Sequence, residues 1–254
     1  MNRAALVTGA GRRIGREIAL GLAQAGWDVA VHFSRSRESA CATASDIKAL
    51  GRRAATVQGD FAADFDPQAL LAECEAHVGP ISCLVNNASM FSFDDAQSLD
   101  TAALLEHVRV NTAAPIALAQ ALRQRLAEQA QGVVINVLDQ KLFNPNPDYF
   151  SYTLSKSALL EATRLLAMAL APRVRVVGLA PGITLPSGAQ SQAGFDRAHR
   201  GTVLGASSSP QDIAQAVVYL ASAKAITGTT LLVDGGQHLQ PSARDVMFLT
   251  EPKS

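Results

Sequence analysis

The sequence predicts an α/β fold with a mainly seven-stranded parallel sheet that helices cover on both faces. Short apolar runs alternate with longer stretches of helical period from one end of the chain to the other. Most of the short runs are continuously apolar, as expected of parallel strands that are buried on both faces. The predicted strands are residues 4–8, 28–33, 54–58, 81–85, 133–137, 175–179 and 230–233.

The stretches of helical period lie between these strands, and turn-forming residues mark their ends. Gly26 and Gly51 stand where helices should stop, and Pro67 and Pro210 stand where helices should start. The predicted helices are residues 14–25, 38–50, 67–77, 101–129, 150–171 and 210–223. This order of elements is typical of a doubly wound, Rossmann-type fold.

A single domain, residues 1–254, is predicted because no linker, repeat or low-complexity tract divides the chain. The least regular stretches are residues 139–148 and 182–209, and both follow predicted strands. Ligands of open α/β sheets bind beyond the carboxyl ends of the strands. We therefore expect both stretches to border the binding site, with residues 182–209 as a substrate-loop region.

The charge balance argues against nucleic acid or an anionic membrane as a partner. Lys and Arg together number 22, as do Asp and Glu, among 254 residues, so any anion site must be local. No apolar run approaches the ~18 to 20 residues that cross a bilayer. The three cysteines form no CxxC pair and no metal-like spacing, so we expect free thiols, no metal and a cytoplasmic location.

A glycine-rich loop, TGAGRRIG over residues 8–15, follows the first predicted strand and opens the first predicted helix. Glycine lets the backbone approach a ligand closely, and a helix N-terminus offers free N–H groups to a pyrophosphate. The loop predicts a dinucleotide site that includes Gly9, Arg12, Arg13 and Ile14. A plain tight turn is the alternative, and Arg12 fits a solvated surface position equally well.

The second predicted strand ends in His32-Phe33-Ser34-Arg35-Ser36. In dinucleotide folds an acidic residue at this position takes the ribose 2′-OH, whereas an arginine accommodates a 2′-phosphate. No acidic residue stands at this strand end, so these five residues predict NADPH/NADP+ as the cofactor. A solvated loop is the alternative.

Tyr152 and Lys156 are four residues apart on a predicted helix, so they share one face. A neighbouring ammonium favours the phenolate and should lower the pKa of the tyrosine. Tyr152 is therefore predicted to donate a proton near neutral pH. A tyrosine and a lysine at this spacing are more often an ordinary exposed pair. The functional interpretation depends on their position after the fifth predicted strand, in a chain that opens with a cofactor loop.

Over residues 4–236 the chain resembles the short-chain dehydrogenase/reductase family. The resemblance rests on the glycine loop and, in the family's order, on Asn86-Asn87-Ala88, Asn111, Tyr152-x-x-x-Lys156, Pro181-Gly182 and Asp234-Gly235-Gly236. It implies that Tyr152 donates the proton and that Lys156 holds the nicotinamide ribose. It also implies that Asn111 completes a water relay to Lys156, although a structural side-chain cap is the alternative. A homotetramer through residues 101–129 and 150–171 is implied as well.

Two departures narrow the resemblance. Arg13 replaces the family's usual loop glycine, and Asp139 replaces the usual serine thirteen residues before Tyr152. With the His-x-x-Arg-Ser and Asn-Ala-Ser-x-Phe segments, these changes make the chain similar to pteridine reductases and to the related bacterial dihydromonapterin and dihydrofolate reductases.

This closer resemblance implies that Phe91 lies against one face of a pterin, with the nicotinamide on the other. Ser89 and Arg13 would bind cofactor phosphate and the pterin edge. Asp139 would bind the pterin and help to relay the proton of Tyr152. The alternatives are a core or lid position for Phe91 and a turn carboxylate for Asp139. Further implied cofactor contacts are Asn87, Ala88, Pro181, Gly182 and Thr184, with Asp60 and Phe61 at the adenine.

The leading functional hypothesis is NADPH-dependent reduction of a small-molecule pteridine or folate. The first alternative is a reductase of ketones or 3-oxoacyl thioesters. Asp139 argues against it, because an ionised carboxylate repels the negative charge that develops on a carbonyl oxygen. The second alternative is a non-catalytic NADP(H)-sensing protein, against which the intact set of Tyr152, Lys156 and Asn111 weighs.

Overall fold

Seven parallel strands form one sheet in the part of the chain that the computed structural model describes, residues 3–188 and 190–250. Their order across the sheet is β3-β2-β1-β4-β5-β6-β7, so the predicted parallel sheet is confirmed. The strands are β1 (Ala4–Val7), β2 (Asp28–Phe33), β3 (Ala54–Gln58), β4 (Ile81–Asn86), β5 (Gly132–Val137), β6 (Val174–Pro181) and β7 (Thr230–Val233).

Helices cover both faces of this sheet. On one face the buried core joins Ile18, Ala40 and Ile213 to the strands, and on the other it joins Leu71 and Leu118. The helices of the described ranges are α1 (Arg13–Gln24), α2 (Arg37–Ala49), α3 (Pro67–Val78), α4 (Thr101–Val108), α5 (Ala114–Arg125), α6 (Phe150–Ala169), α7 (Gln192–Arg200), α8 (Pro210–Ser222) and α9 (Val246–Thr250).

The helix expected over residues 101–129 is not regular. A π-helical turn, Arg109–Ala113, separates α4 from α5, and α5 ends at Arg125. Pro115 has no N–H to offer to the carbonyl of Asn111 four residues earlier, so an α-helical bond is lost there. The N–H of Ala114 reaches back five residues to the carbonyl of Arg109 instead. The turn places Asn111 in wider backbone geometry beside α6.

Residues 182–209 were expected to be irregular, but they contain α7. The Ser191 side chain accepts a hydrogen bond from the Gly194 N–H and so caps the start of this helix. After β7 the chain returns to the carboxyl ends of the strands, where α9 lies against α7. Arg197 of α7 donates hydrogen bonds to the carbonyl of Thr250 at the end of α9. The C-terminal segment is therefore held against α7 by both packing and hydrogen bonds.

No helix of the described residues combines the length and the apolar character of a membrane-spanning segment. The cysteines are free, with Cys41 exposed and Cys74 and Cys83 buried. Burial raises the pKa of each of the two buried thiols to about 12. Those two thiols are therefore unreactive at neutral pH.

Candidate active site

A cleft of about 1190 Å³ lies at the carboxyl ends of the strands. It brings together almost all of the residues that the sequence predicts for the site. The predicted residues on its walls are Gly9, Arg12, Arg13, Ile14, His32, Phe33, Ser34, Arg35, Ser36, Asp60, Phe61, Asn87, Ala88, Ser89, Phe91, Asp139, Tyr152, Lys156, Pro181, Gly182 and Thr184. Asn111 is the exception, because it is fully buried behind the cleft.

The glycine loop has the conformation that a close backbone approach requires. Gly9 has a φ of +64°, and a Cβ atom on Gly15 would stand 2.3 Å from the carbonyl oxygen of Gly9. Arg12 precedes α1 and makes no side-chain hydrogen bond to its first N–H groups. Within residues 3–188 and 190–250, the side chains of Arg12 and Arg35 have no hydrogen-bond or ion-pair partner. Free N–H groups and two unpaired cations thus face the cleft, a donor set that suits phosphates.

Arg13 joins the glycine loop to the predicted substrate-loop region. Its φ of 55° lies in the left-handed region, which is costly for a residue with a Cβ atom. Its Nη2 atom donates to the carbonyl of Pro186 at 2.8 Å. The exposed guanidinium therefore links the glycine loop at the start of α1 to the chain that follows β6.

His32 supports the cofactor loop in its neutral form. Its Nδ1 atom accepts a hydrogen bond from the Gly9 N–H at 3.2 Å, and Nε2 contacts the Gly59 carbonyl at 3.0 Å. Burial lowers the pKa of His32 to about 4. Its ring stacks on Phe61 with centroids 4.5 Å apart. Both ring nitrogens are occupied within the protein, so His32 positions the loop and its ring borders the cleft.

Asn87 ties the end of β4 to the glycine loop, because its side-chain amide donates to the carbonyls of Thr8 and Gly9. At the opposite wall, Thr184 Oγ1 donates to the Gly182 carbonyl at 3.0 Å and shares a hydrogen bond with Ser208. A Cβ atom on Gly182 would stand 2.7 Å from the Asp234 backbone, so that position needs glycine. These contacts fix the backbone on two sides of the cleft.

Asn111 uses its whole side-chain hydrogen-bonding capacity within the protein. Its Nδ2 atom donates to the Met90 carbonyl and to Ser155 Oγ, each at 2.9 Å. Its Oδ1 atom accepts from the Met90 N–H and from Ser89 Oγ. An amide side chain has two donors and two acceptor lone pairs. A water relay from Asn111 to Lys156 would therefore need the backbone at the π turn, not this side chain.

The proposed proton-transfer groups meet at the centre of the cleft. The Tyr152 hydroxyl donates to Asp139 Oδ2 at 2.8 Å, and the Lys141 N–H donates to Asp139 Oδ1 at 2.8 Å. Lys156 Nζ donates to the Val137 carbonyl at 2.8 Å and lies 5.9 Å from the centre of the Tyr152 ring. Asp139 is thus hydrogen-bonded directly to the phenol, whereas the ammonium lies beneath the ring.

The expected lowering of the Tyr152 pKa is wrong for this structure. Burial, then the charge and hydrogen bond of Asp139, raise the pKa of Tyr152 well above its usual value. Burial likewise raises the pKa of Asp139 and lowers the pKa of Lys156 to about 8. A buried carboxylate resists sharing the cavity with a phenolate, because both would then be negatively charged. The Asp139–Tyr152 pair therefore favours holding its protons.

The aromatic wall of the cleft includes a residue that sequence reasoning missed. Phe91 is 43% exposed and stacks on Tyr149 with centroids 4.2 Å apart. It also contacts Tyr152 edge-on at 4.7 Å. Tyr149 has a φ of 55° and stands just before α6. Tyr149 covers one face of Phe91, and the two ring contacts together fix the Phe91 ring beside Tyr152.

Lys141, Asp245 and Met247 also line the cleft, and the sequence did not single them out. The Tyr149 hydroxyl contacts Met247 Sδ at 3.1 Å, and Lys141 Nζ contacts Asp245 Oδ2 at 3.2 Å. These pairs join segments about 100 residues apart, and neither forms a recognisable local motif. The one sequence signal for Tyr149 was its position, because it is an aromatic residue directly before the predicted helix.

A model of the short chain dehydrogenase family matches residues 3–198. Among solved structures, alternative dihydrofolate reductase 1 from Brucella canis, complexed with NADP, is similar to the chain with a TM-score of 0.89 and 41% identity. The similarity covers 94% of this chain and 95% of that one.

Curated relatives fall into different enzyme groups. Pteridine reductase 1 of Leishmania tarentolae is 33% identical over 92% of this chain and 96% of its own length. A 3-oxoacyl-[acyl-carrier-protein] reductase of Staphylococcus epidermidis is 31% identical over 94% of this chain and 100% of its own length. Similarity over most of the chain thus extends both to a pteridine reductase and to a 3-oxoacyl-[acyl-carrier-protein] reductase.

Proposed function

The chain belongs to the short-chain dehydrogenase family, and we propose that it is an NADPH-dependent reductase of pteridines such as dihydrobiopterin, dihydromonapterin or dihydrofolate. The observation that carries this proposal is the 2.8 Å hydrogen bond from Tyr152 to Asp139. The solved relative with NADP and the Leishmania pteridine reductase support it.

NADPH, when bound, supplies the hydride. The residues present fit this cofactor: Arg12 and Arg35 are unpaired among the described residues, and the N-terminus of α1 lacks a side-chain cap. The end of β2 carries Ser34, Arg35 and Ser36 rather than an acid that would bind a ribose 2′-OH. We assign the 2′-phosphate to this strand end.

Arg35→Ala is expected to weaken NADPH binding by roughly 1.5–3 kcal/mol, the range for a hydrogen bond to a charged group, and to change NADH binding little. Titration of both cofactors by protein fluorescence measures the two affinities. Arg37→Ala is the matched control, because Arg37 is an exposed cation outside the cleft wall. Equal losses of NADPH and NADH affinity in Arg35→Ala would contradict the assignment.

The proton for the pteridine would come from the buried pair. Reduction of a C=N bond adds hydride to carbon and a proton to nitrogen. A protonated Asp139 can donate to the Tyr152 oxygen while the Tyr152 hydroxyl donates to the ring nitrogen, so the pair can pass a proton outward. Burial raises the pKa of Asp139, so its neutral form persists to higher pH than that of an exposed carboxyl group. The neutral fraction increases as the pH falls. Turnover should therefore rise toward mildly acidic pH and fall along an alkaline limb.

The remaining assignments concern the ring and the assembly. Phe91 offers an exposed aromatic side chain for stacking, and Arg13 and Ser89 line the same cleft, where they would bind the pterin edge and the cofactor phosphate.

We also propose that the protein forms a homotetramer. Leu105 of α4 and Leu165 and Met168 of α6 are 61%, 54% and 70% exposed, and these apolar side chains favour burial between subunits.

A substrate panel tests the proposed function. Purified protein is mixed with saturating NADPH and, separately, with dihydrobiopterin, dihydrofolate, a set of ketones or a 3-oxoacyl thioester, and NADPH oxidation is followed over a range of substrate concentrations. We expect the highest kcat/KM with a dihydropteridine. Preference for a ketone or for the 3-oxo group of the thioester would favour the carbonyl reductase, whose case rests on the 3-oxoacyl-[acyl-carrier-protein] reductase among the relatives. NADPH binding without oxidation of any substrate would favour the sensing protein.

A further inference from the structure

The C-terminal segment is bound to the loop that runs from Asp139 to the start of α6. Arg244 Nε donates to both carboxylate oxygens of Asp148, at 2.9 and 2.8 Å. The Asp245 N–H donates to the same carboxylate. Phe248 packs edge-on against Phe93 with centroids 5.3 Å apart. These contacts bring Asp245 onto the cleft wall.

Lys141 lies between the carboxylates of Asp139 and Asp245. Its side chain forms an ion pair with Asp245, the more distant of the two in sequence. Its side chain is buried, and Nζ contacts Asp245 Oδ2 at 3.2 Å and Asn146 Oδ1. Toward Asp139, two residues earlier, it presents only its backbone N–H. The ammonium is therefore committed to Asp245, and Asp139 keeps the phenol of Tyr152 as its side-chain partner.

We propose that Asp245 is a positioning residue that holds the Lys141 ammonium away from Asp139, so that Asp139 retains the proton it passes through Tyr152 to the pteridine. The inference rests on the proposed function. It gives the C-terminal segment a part in proton transfer, although Asp245 itself transfers no proton. An ammonium released toward Asp139 would stabilise the ionised carboxylate. Asp139 would then have no proton to pass to Tyr152.

The charges around Asp139 support this balance. Tyr152 and Lys156 face it from α6, Lys141 from its own loop, and Asp245 from the C-terminal segment. After burial, the largest cause, the charge of Asp245 also raises the pKa of Asp139, whereas that of Lys141 lowers it. Loss of the Asp245 charge thus acts twice in one direction, by removing a nearby anion and by freeing a cation.

The test is the pH profile of kcat for dihydrobiopterin at saturating NADPH. Asp245→Asn should shift the alkaline limb to lower pH by about one unit, the lower end of the effect of a nearby charge. Lys141→Met should shift it to higher pH. Arg197→Gln is the matched control: it removes the hydrogen bond to Thr250 at the far end of the same segment and changes no charge that faces Asp139, so it should not move the limb.

A uniform loss of kcat in Asp245→Asn, with the limb unmoved, would overturn the inference. So would an equal shift in Arg197→Gln, since loosening of the segment alone would then explain it. If Asp245→Asn does not fold, the direction of the Lys141→Met shift decides. Failure of the proposed function looks different, because the wild-type protein would then not reduce dihydrobiopterin at all.

Discussion

Tyr152→Phe is expected to lower dihydropteridine turnover by about 10²- to 10⁴-fold, the usual contribution of a positioned proton donor, while NADPH affinity stays nearly unchanged. The phenylalanine ring keeps the edge-on contact with Phe91, so only the hydroxyl that donates to Asp139 is lost. Steady-state kcat and a fluorescence titration with NADPH measure the two effects separately.

Two other variants place this loss in context. Tyr149→Phe removes a phenol from the same aromatic wall, but that hydroxyl contacts Met247 rather than Asp139, so turnover should change little. Lys156→Ala should impair both NADPH binding and turnover, because we assign Lys156 to the cofactor ribose as well as to the tyrosine. Near-normal turnover in Tyr152→Phe would remove Tyr152 from the mechanism.

The fold was predictable because most of its strands are buried on both faces. Residues 28–33 and 54–58 were predicted as strands with the bounds that β2 and β3 have in the structure. Continuous apolar runs bounded by glycine or proline leave few alternatives in a chain of this length. Helix ends were correct to within one or two residues where a glycine or proline marks them, as at Gly26 and Pro67.

The irregular helical features were not predictable from periodicity. Pro115 interrupts an otherwise helical pattern, but the sequence does not say whether the chain will kink, stop or widen into a π turn. The α7 sequence QAGFDRAHR spans only nine residues and contains a glycine, so it does not stand out as a helix beside the loops around it. Helix α9 depends on long-range contacts such as that between Arg197 and Thr250.

The cleft was largely predictable, and its electrostatics were not. Motifs at successive strand ends meet at one edge of the sheet, which is why the glycine loop and Tyr152 share a cavity. The pKa of Tyr152 moves opposite to the expectation, because burial and Asp139 act more strongly on it than Lys156. Neither burial nor the Lys141–Asp245 pair can be inferred from the spacing of residues.

Asp139→Ser, which restores the usual residue of the family, is expected to lower dihydropteridine turnover by about 10²-fold or more. Serine removes a group that can hold a proton at mildly acidic pH, so the alkaline limb set by Asp139 should disappear. A neutral hydroxyl suits a carbonyl oxygen better than an ionised carboxylate, so ketone reduction should rise in the same variant.

The most direct test is kcat/KM for dihydrobiopterin and for a simple ketone, in the wild-type protein and in Asp139→Ser, at saturating NADPH. The wild-type protein should prefer the pteridine, and the variant should lose that preference as its ketone activity increases. A wild-type protein that ignores dihydrobiopterin and dihydrofolate, reduces ketones, and reduces them faster as Asp139→Ser would contradict the pteridine assignment.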